Sequence, residues 1–206
     1  MQKLAFQAYS LITKNSENKR YIFDPIRKKF VILTPEEWVR QHVVHYLLED
    51  KKAPKSWVNV EKQFTLAGLQ KRFDVIVFSA NGVVQVLVEC KAPNVRITQD
   101  TFDQIARYNM KFNAQYMMIT NGLNHYYCNY NHEKQEFHFC EDLPMLSPTV
   151  KHTIKPGPAV AAMPSISFKE TLLSFKAALI IYSIFSICAL AANSGTTPPN
   201  FLCSEI

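Results

Sequence analysis

The stretch from Arg72 to Lys91 constrains the fold most, because it places ionisable side chains within apolar strands. Its sequence, RFDVIVFSANGVVQVLVECK, contains two apolar runs separated by Asn81-Gly82, the strongest short-range signal for a β-hairpin. Asp74 lies in the first run, and Glu89-Cys90-Lys91 end the second. Since burying an unpaired charge is costly, these charged residues are expected to have partners or a chemical role.

The predicted hairpin brings two carboxylates and an ammonium group together. Side chains alternate along a strand, so Glu89 and Lys91 share a face with Cys90 opposite, and the turn returns Asp74 to the same end. Such a group suits a hard divalent cation such as Mg²⁺, with water and substrate phosphate completing its shell. The lysine can orient a water or stabilise negative charge. The structural alternative is a salt bridge between Glu89 and Lys91 at a sheet edge.

A helix is predicted to begin after Thr34 and to run through WVRQHVVHYLLED. Thr34 suits the N-cap, Pro35 the first helical position, and Glu37 the acidic position of a capping box. The helix has one apolar face, made by Val39, Val43, Tyr46 and Leu47.

Glu36 is the acid of this helix that capping does not explain. It lies four residues before Arg40, a spacing that favours a salt bridge. A role beside Asp74 and Glu89 is the other interpretation, and the two stay open at this point.

The remaining pattern predicts an α/β fold with the order helix, strand, strand, strand, helix, strand. Residues 57–64 alternate as a strand before a turn at 67–71, a helix spans 101–112, and a buried strand spans 115–120. Residues 1–33 are expected to form an arm with two short strands, and residues 124–130 and 136–139 a final hairpin. Gln104 and Tyr108, four residues apart, share one face of the second helix.

These residues together resemble the PD-(D/E)XK nuclease superfamily. Asp74, fourteen intervening residues, and then Glu89-x-Lys91 match its signature, with Phe73 in place of the usual proline. The Gln104-x-x-x-Tyr108 helix resembles a motif of exonuclease-helicase nucleases and of type I restriction motor subunits. Residues 24–142 more closely resemble the N-terminal nuclease domain of type I restriction enzyme R subunits.

The resemblance implies a restriction-endonuclease-like core that cleaves DNA with Mg²⁺, or with Mn²⁺ in its place, as cofactor. It assigns the metal to Asp74 and Glu89, catalytic roles to these two with Lys91 and Glu36, and DNA contacts to Gln104 and Tyr108. No G-x-x-x-x-G-K-[ST] motif occurs in the sequence, so a motor or specificity subunit would act in trans. The alternative is a nucleic-acid-binding or assembly module that keeps the fold without cleaving.

Composition permits a DNA partner but does not require one. The 206 residues carry 23 Lys and Arg against 17 Asp and Glu, a mild basic excess. The five cysteines form no C-x-x-C pair, which indicates neither a disulfide framework nor a zinc site. The N-terminus lacks a signal-peptide pattern, so a cytoplasmic location is expected.

A change in composition after Asp142 predicts an appendage to a nuclease domain of residues 1–142. Residues 143–170 are rich in proline and are interpreted as a linker, and residues 193–206 as a disordered tail. Between them, residues 171–192 form an apolar segment whose uninterrupted part is slightly short of a membrane span. A membrane anchor, a core helix and an out-of-frame end are the three interpretations of that segment.

Overall fold

The computed structural model describes residues 1–66, 69–131, 133–134 and 136–148. The predicted apolar segment 171–192 and the predicted tail 193–206 therefore lie outside the described residues, as does most of the predicted linker. In the described part, no helix is long and apolar enough to cross a membrane.

The fold is mixed α/β, with one six-stranded sheet and few helices. The elements of this sheet and its helices are α1 (Pro35–His45), β4 (Val58–Val60), β7 (Val75–Phe78), β8 (Val84–Cys90), α2 (Gln99–Phe112), β9 (Tyr116–Thr120), β10 (His125–Asn131) and β11 (Glu136–Cys140). The sheet has the order β11-β10-β9-β8-β7-β4, and only the β8–β9 pair in it is parallel. Helix α2 provides the crossover that a parallel pair requires.

Helix α1 begins where the sequence predicts. Thr34 accepts a hydrogen bond from the Glu37 backbone N–H at 3.0 Å, and Pro35 occupies the first turn. A π-helical turn, Tyr46–Asp50, continues the helix. The predicted apolar face is confirmed, because its four residues are all buried, namely Val39, Val43, Tyr46 and Leu47.

The strand predicted over residues 57–64 is wrong as a single element. A 3₁₀ turn, Lys55–Trp57, leads into β4, and the chain then turns at Glu61, whose φ is +52°. Strands β5 (Gln63–Leu66) and β6 (Leu69–Arg72) form a separate antiparallel hairpin before β7 begins. A positive φ at a non-glycine residue is uncommon, and alternation of apolar residues gives no sign of it.

The N-terminal arm contains three strands where the sequence predicts two. Strands β1 (Thr13–Ser16), β2 (Lys19–Asp24) and β3 (Lys29–Ile32) form an antiparallel sheet. Glu17 and Asn18, with φ of +50° and +58°, make the turn that adds β1. Two-residue hairpin turns of this kind are typical of Asn-Gly, so the Glu-Asn sequence hides the strand.

The packed core extends beyond the predicted boundary at residue 142. Leu143 and Leu146 are buried in the hydrophobic core, and the Leu146 N–H donates to the Lys51 carbonyl oxygen at 2.7 Å. The predicted linker therefore begins too early in the sequence. The proline between the two leucines makes this segment resemble a loop, although both leucines are buried.

Candidate active site

Strands β7 and β8 place Asp74, Glu89 and Lys91 together at one end of the hairpin. Val75 pairs with Val88, so Asp74 lies beside the end of β8. The Asp74 Oδ2 atom accepts a hydrogen bond from the Cys90 backbone N–H at 2.7 Å. Lys91 Nζ donates to Glu89 Oε1 at 2.7 Å. The structure thus brings together the three residues of the D-x14-E-x-K pattern, including the predicted Glu89–Lys91 salt bridge.

The environment of Glu89 opposes its ionisation. The residue is 5% exposed. Burial first, and then the neighbouring Asp74 charge, raise the pKa of Glu89 to about 7, although Lys91 acts in the opposite direction. A carboxyl group poised this way is typical of functional sites, and an added cation would relieve the repulsion between the two acids.

Helix α2 brings Gln104 to the same carboxylate. Gln104 Nε2 donates to Glu89 Oε1 at 2.9 Å. The two hydrogen bonds described for Glu89, from Gln104 and Lys91, therefore end on the same oxygen. Tyr108 follows one turn later on α2, but its side chain lies outside the described part of the chain, so its predicted DNA contact stays a prediction.

Arg40 joins Glu36 to Asp74. Its Nη2 atom donates to Glu36 Oε1 at 2.8 Å and to Asp74 Oδ1 at 2.8 Å. The predicted Glu36–Arg40 salt bridge is therefore present, and the same guanidinium places Glu36 next to the site. The sequence indicated Arg40 only as a partner of Glu36, because helical spacing does not reveal its contact with Asp74, which lies 34 residues away.

Glu37 does not use its side chain in the capping box that the sequence predicts. Its carboxylate is buried and accepts hydrogen bonds from Arg27 at 2.7 Å, from Gln41 at 2.8 Å, and from Arg40. The backbone half of the cap at Thr34 is confirmed, but the two arginines hold the acid in the interior. Removing one partner of such a buried pair is strongly destabilising, because it leaves an uncompensated charge.

Arg27 extends this group to the N-terminal sheet. Its Nε donates to Asp24 Oδ2 at 2.5 Å, and its other nitrogens pair with Glu37 and Glu61. Arg72 pairs with Glu61 at 3.3 Å. Arg40 also pairs with Glu61, at 3.5 Å, so three arginines meet at the turn between β4 and β5. No local sequence pattern indicates these contacts, because the partners come from separate elements.

The donor set of this region fits a divalent cation. Within the described residues, no group of three His, Cys, Asp or Glu side chains is arranged to hold a metal, but Mg²⁺ is commonly bound by one or two carboxylates plus substrate phosphate. The region has six acids against four basic residues, a formal excess of two negative charges. The acids are Asp24, Glu36, Glu37, Glu61, Asp74 and Glu89, and the bases are Arg27, Arg40, Arg72 and Lys91.

Phe73 explains the departure from the Pro-Asp pair. Its ring is 2% exposed and stacks on Phe64, with centroids 4.3 Å apart and an interplanar angle of 12°. Phe112, at the end of α2, packs edge-on against it at 4.8 Å. The aromatic residue therefore links the β5–β6 hairpin to α2 directly beside Asp74, a packing role that proline could not fill.

Comparison with known proteins finds a family whose model spans these residues. Residues 35–144 match the family model described as type I restriction enzyme R protein N terminus. The matched segment includes Glu36, Asp74, Glu89, Lys91 and Gln104, and it leaves out the N-terminal sheet. No curated protein matches the chain. Because the match covers more than half of the 206 residues, the chain belongs to the family of type I restriction enzyme R protein N termini.

Proposed function

We propose that this chain is a restriction-type deoxyribonuclease domain that hydrolyses DNA phosphodiesters with Mg²⁺ or Mn²⁺. The observation that carries the proposal is the convergence of Asp74, Glu89 and Lys91, with Gln104 hydrogen-bonded to Glu89. We further propose that α1, β4, β7, β8, α2 and β9 form a restriction-endonuclease-like core of the PD-(D/E)XK type. Their order along the chain supports this, once the β5–β6 hairpin is treated as an insertion.

Asp74 and Glu89 are the residues proposed to hold the cation. When bound there, a divalent ion would lower the pKa of a coordinated water and neutralise phosphate charge. Lys91 lies next to both acids. Burial opposes its charge, but the neighbouring Glu89 and Asp74 raise the pKa of Lys91. The lysine therefore stays protonated and can donate hydrogen bonds to an attacking water or to a phosphate oxygen.

Glu36, Gln104 and Tyr108 complete the proposed site. Glu36 is half-exposed at 46% and lies across Arg40 from Asp74, where it can reach an outer water of the ion. Gln104 fixes the Glu89 carboxylate and, with Tyr108, is proposed to contact the DNA strand near the scissile phosphate. A motor or specificity subunit would act in trans.

The decisive experiment measures cleavage of duplex and single-stranded DNA with and without Mg²⁺. Asp74→Asn and Glu89→Gln are expected to lower the cleavage rate at least 100-fold and to abolish Mg²⁺ binding by calorimetry, because each removes a charged ligand. Asp100→Asn makes the same chemical change at an exposed position at the start of α2 and is expected to cleave at the wild-type rate.

Wild-type turnover in the Asp74 or Glu89 variant would rule out the site. The alternative function, a nucleic-acid-binding or assembly module that does not cleave, is favoured by one contact: the carboxylate of Asp74 is already paired with Arg40 and Cys90. DNA binding without cleavage under any metal, in the wild-type chain, would support that alternative.

A further inference from the structure

The N-terminal sheet presents an aromatic and basic face to solvent. Alternation along β2 and its pairing with β1 and β3 divide the sheet into two faces. On the inner face, Ile22 and Asp24 are both fully buried. The outer face, which we call the aromatic face, consists of Ile12, Lys14, Lys19, Tyr21, Phe23, Phe30 and Ile32.

The rings of the aromatic face make contacts with neighbouring side chains and remain accessible to solvent. Phe23 and Phe30 lie on neighbouring strands with ring centroids 5.3 Å apart and an interplanar angle of 63°. Lys14 places its Nζ 4.3 Å from the Phe30 centroid and 5.8 Å from that of Tyr21. The three rings are only partly buried, and Ile32 at the edge of the face is 52% exposed.

Charge in this segment points to a polyanionic partner. Residues 13–32 contain six basic residues and two acids, giving +4 of the chain's formal +6. Of the two acids, Asp24 is buried and paired with Arg27, and Glu17 lies in the β1–β2 turn. The exposed charge of the sheet is therefore mainly positive. Of its exposed basic residues, Lys14 and Lys19 lie on the aromatic face, Arg20 and Lys29 on the opposite face, and Lys28 in the turn between β2 and β3.

We propose that the aromatic face binds single-stranded DNA by stacking bases on Tyr21, Phe23 and Phe30, with Lys14 and Lys19 contacting phosphates. Aromatic rings interleaved with lysines on an open sheet are how many proteins bind unpaired strands with little sequence preference. Duplex DNA is a poorer fit, since its bases are stacked on one another and unavailable to the rings. The choice of DNA as the polyanion rests on the proposed function, but the face lies outside the family match.

The test is fluorescence anisotropy of the full chain with a labelled oligo(dT) of about 16 nucleotides in EDTA, with a duplex of equal length as comparison. Tyr21→Ala is expected to weaken oligo(dT) binding about tenfold or more, and Tyr21→Phe to keep wild-type affinity, because base stacking needs the ring. Lys14→Gln should also reduce the slope of log K against log salt by about 0.7.

Lys29→Gln is the matched control. Lys29 is exposed and lies on β3 next to Phe30, but its strand register with Asp24 places it on the opposite face. Lys29→Gln removes the same charge from the same sheet. A larger loss of oligo(dT) affinity in Lys14→Gln than in Lys29→Gln therefore supports binding at the aromatic face rather than general basicity.

Three results would overturn the proposal. Tyr21→Ala and Lys14→Gln could bind oligo(dT) as the wild type does, or the duplex could bind as tightly as the single strand. Third, the same variants could abolish self-association in gel filtration while oligo(dT) binding is absent, which would assign the face to a second copy of the chain. Because binding is measured without metal, it does not depend on cleavage. A wild-type chain that does not cleave DNA would overturn the proposed function and leave these binding outcomes distinguishable.

Discussion

Arg40 is the residue on which the interior of the candidate site depends. Its guanidinium is almost fully buried and contacts Glu36, Glu37 and Asp74. Although burial opposes its charge, Asp74 and then Glu37 raise the pKa of Arg40. The cation therefore pairs with two buried carboxylates, and it holds the first helix against Asp74, directly before β7.

Removing that cation is expected to destabilise the fold severely. Arg40→Met removes a buried cationic partner from both Glu37 and Asp74, which costs about 3–5 kcal/mol in free energy of unfolding. Urea denaturation measures the loss. Arg72→Met is the control, because the 53% exposed Arg72 side chain pairs with Glu61 at 3.3 Å and its loss should cost about 1 kcal/mol or less. Equal effects in the two variants would contradict the role of Arg40.

Glu89 is expected to lower stability above neutral pH, where its buried carboxyl is ionised. Its pKa rises from 4.5 to about 7 on folding. Between these values only the unfolded chain releases the proton, so stability falls as pH rises through this window and stays reduced above it. Glu89→Gln removes the charge. The variant should therefore melt at a higher temperature than wild type at pH 8.

That gain should shrink as pH falls through 7 and close below about 4.5, where wild-type Glu89 is protonated in both states. Melting curves at intervals between pH 4 and pH 8, without added metal, check the direction. Glu133→Gln changes an exposed acid in the β10–β11 turn and should show no such pH-dependent difference. A Glu89→Gln protein that melts lower at pH 8 would show that the Lys91 ion pair outweighs burial.

At the level of elements, the sequence predicts what is local and misses what depends on distant partners. The N-cap of α1, the Asn81-Gly82 turn and the buried strand β9 follow from neighbouring residues, and all are found. The D-x14-E-x-K convergence also follows, because one hairpin creates it. The kink at Glu61 does not, since arginines from other elements hold it.

Gly122 shows how one turn fixes the N-terminal arm to the core. It has φ +82°, and the Ala5 N–H donates to its carbonyl oxygen at 2.7 Å. A Cβ added there would lie 2.8 Å from Leu4 and 3.0 Å from Val39. The Asn-Gly pair after β9 therefore serves as a docking point for the first residues of the chain.

Gly122→Ala and Gly82→Ala form a matched pair. Both glycines have a positive φ, which costs an alanine about 1–2 kcal/mol, but a Cβ at Gly82 meets nothing within 4 Å. Gly122→Ala adds overpacking against Leu4 and Val39, about 1–3 kcal/mol more. Chemical denaturation should therefore show the larger loss at Gly122. Equal losses of stability would mean that the N-terminal arm shifts to accommodate the added Cβ at Gly122 without destabilising the fold.

On the scale of the whole molecule, segments far apart in sequence close the core together. Leu4 packs near Gly122 at the start of the chain, while Leu143 and Leu146 enter the same core near the end of the described residues. Asp142 supports the second closure, because both the Tyr46 hydroxyl and Lys51 Nζ donate to its carboxylate. The family match, which begins at residue 35 and ends at 144, covers neither closure in full.

The extent of the folded unit is tested by two truncated chains. A chain ending at Pro148 keeps Leu143 and Leu146 and is expected to unfold cooperatively. A chain ending at Asp142 loses both buried leucines, each worth about 2–5 kcal/mol on the scale of a leucine-to-alanine change. Since a domain is stable by only about 5–15 kcal/mol, this shorter chain should be largely unfolded or melt far lower.

Leu146→Ala in the full chain separates the packing of one side chain from the loss of backbone, and it should lower stability by about 2–5 kcal/mol. If the chain ending at residue 142 melted at the same temperature as the chain ending at residue 148, the two leucines would cover the core without stabilising it. The domain would then end where the composition changes.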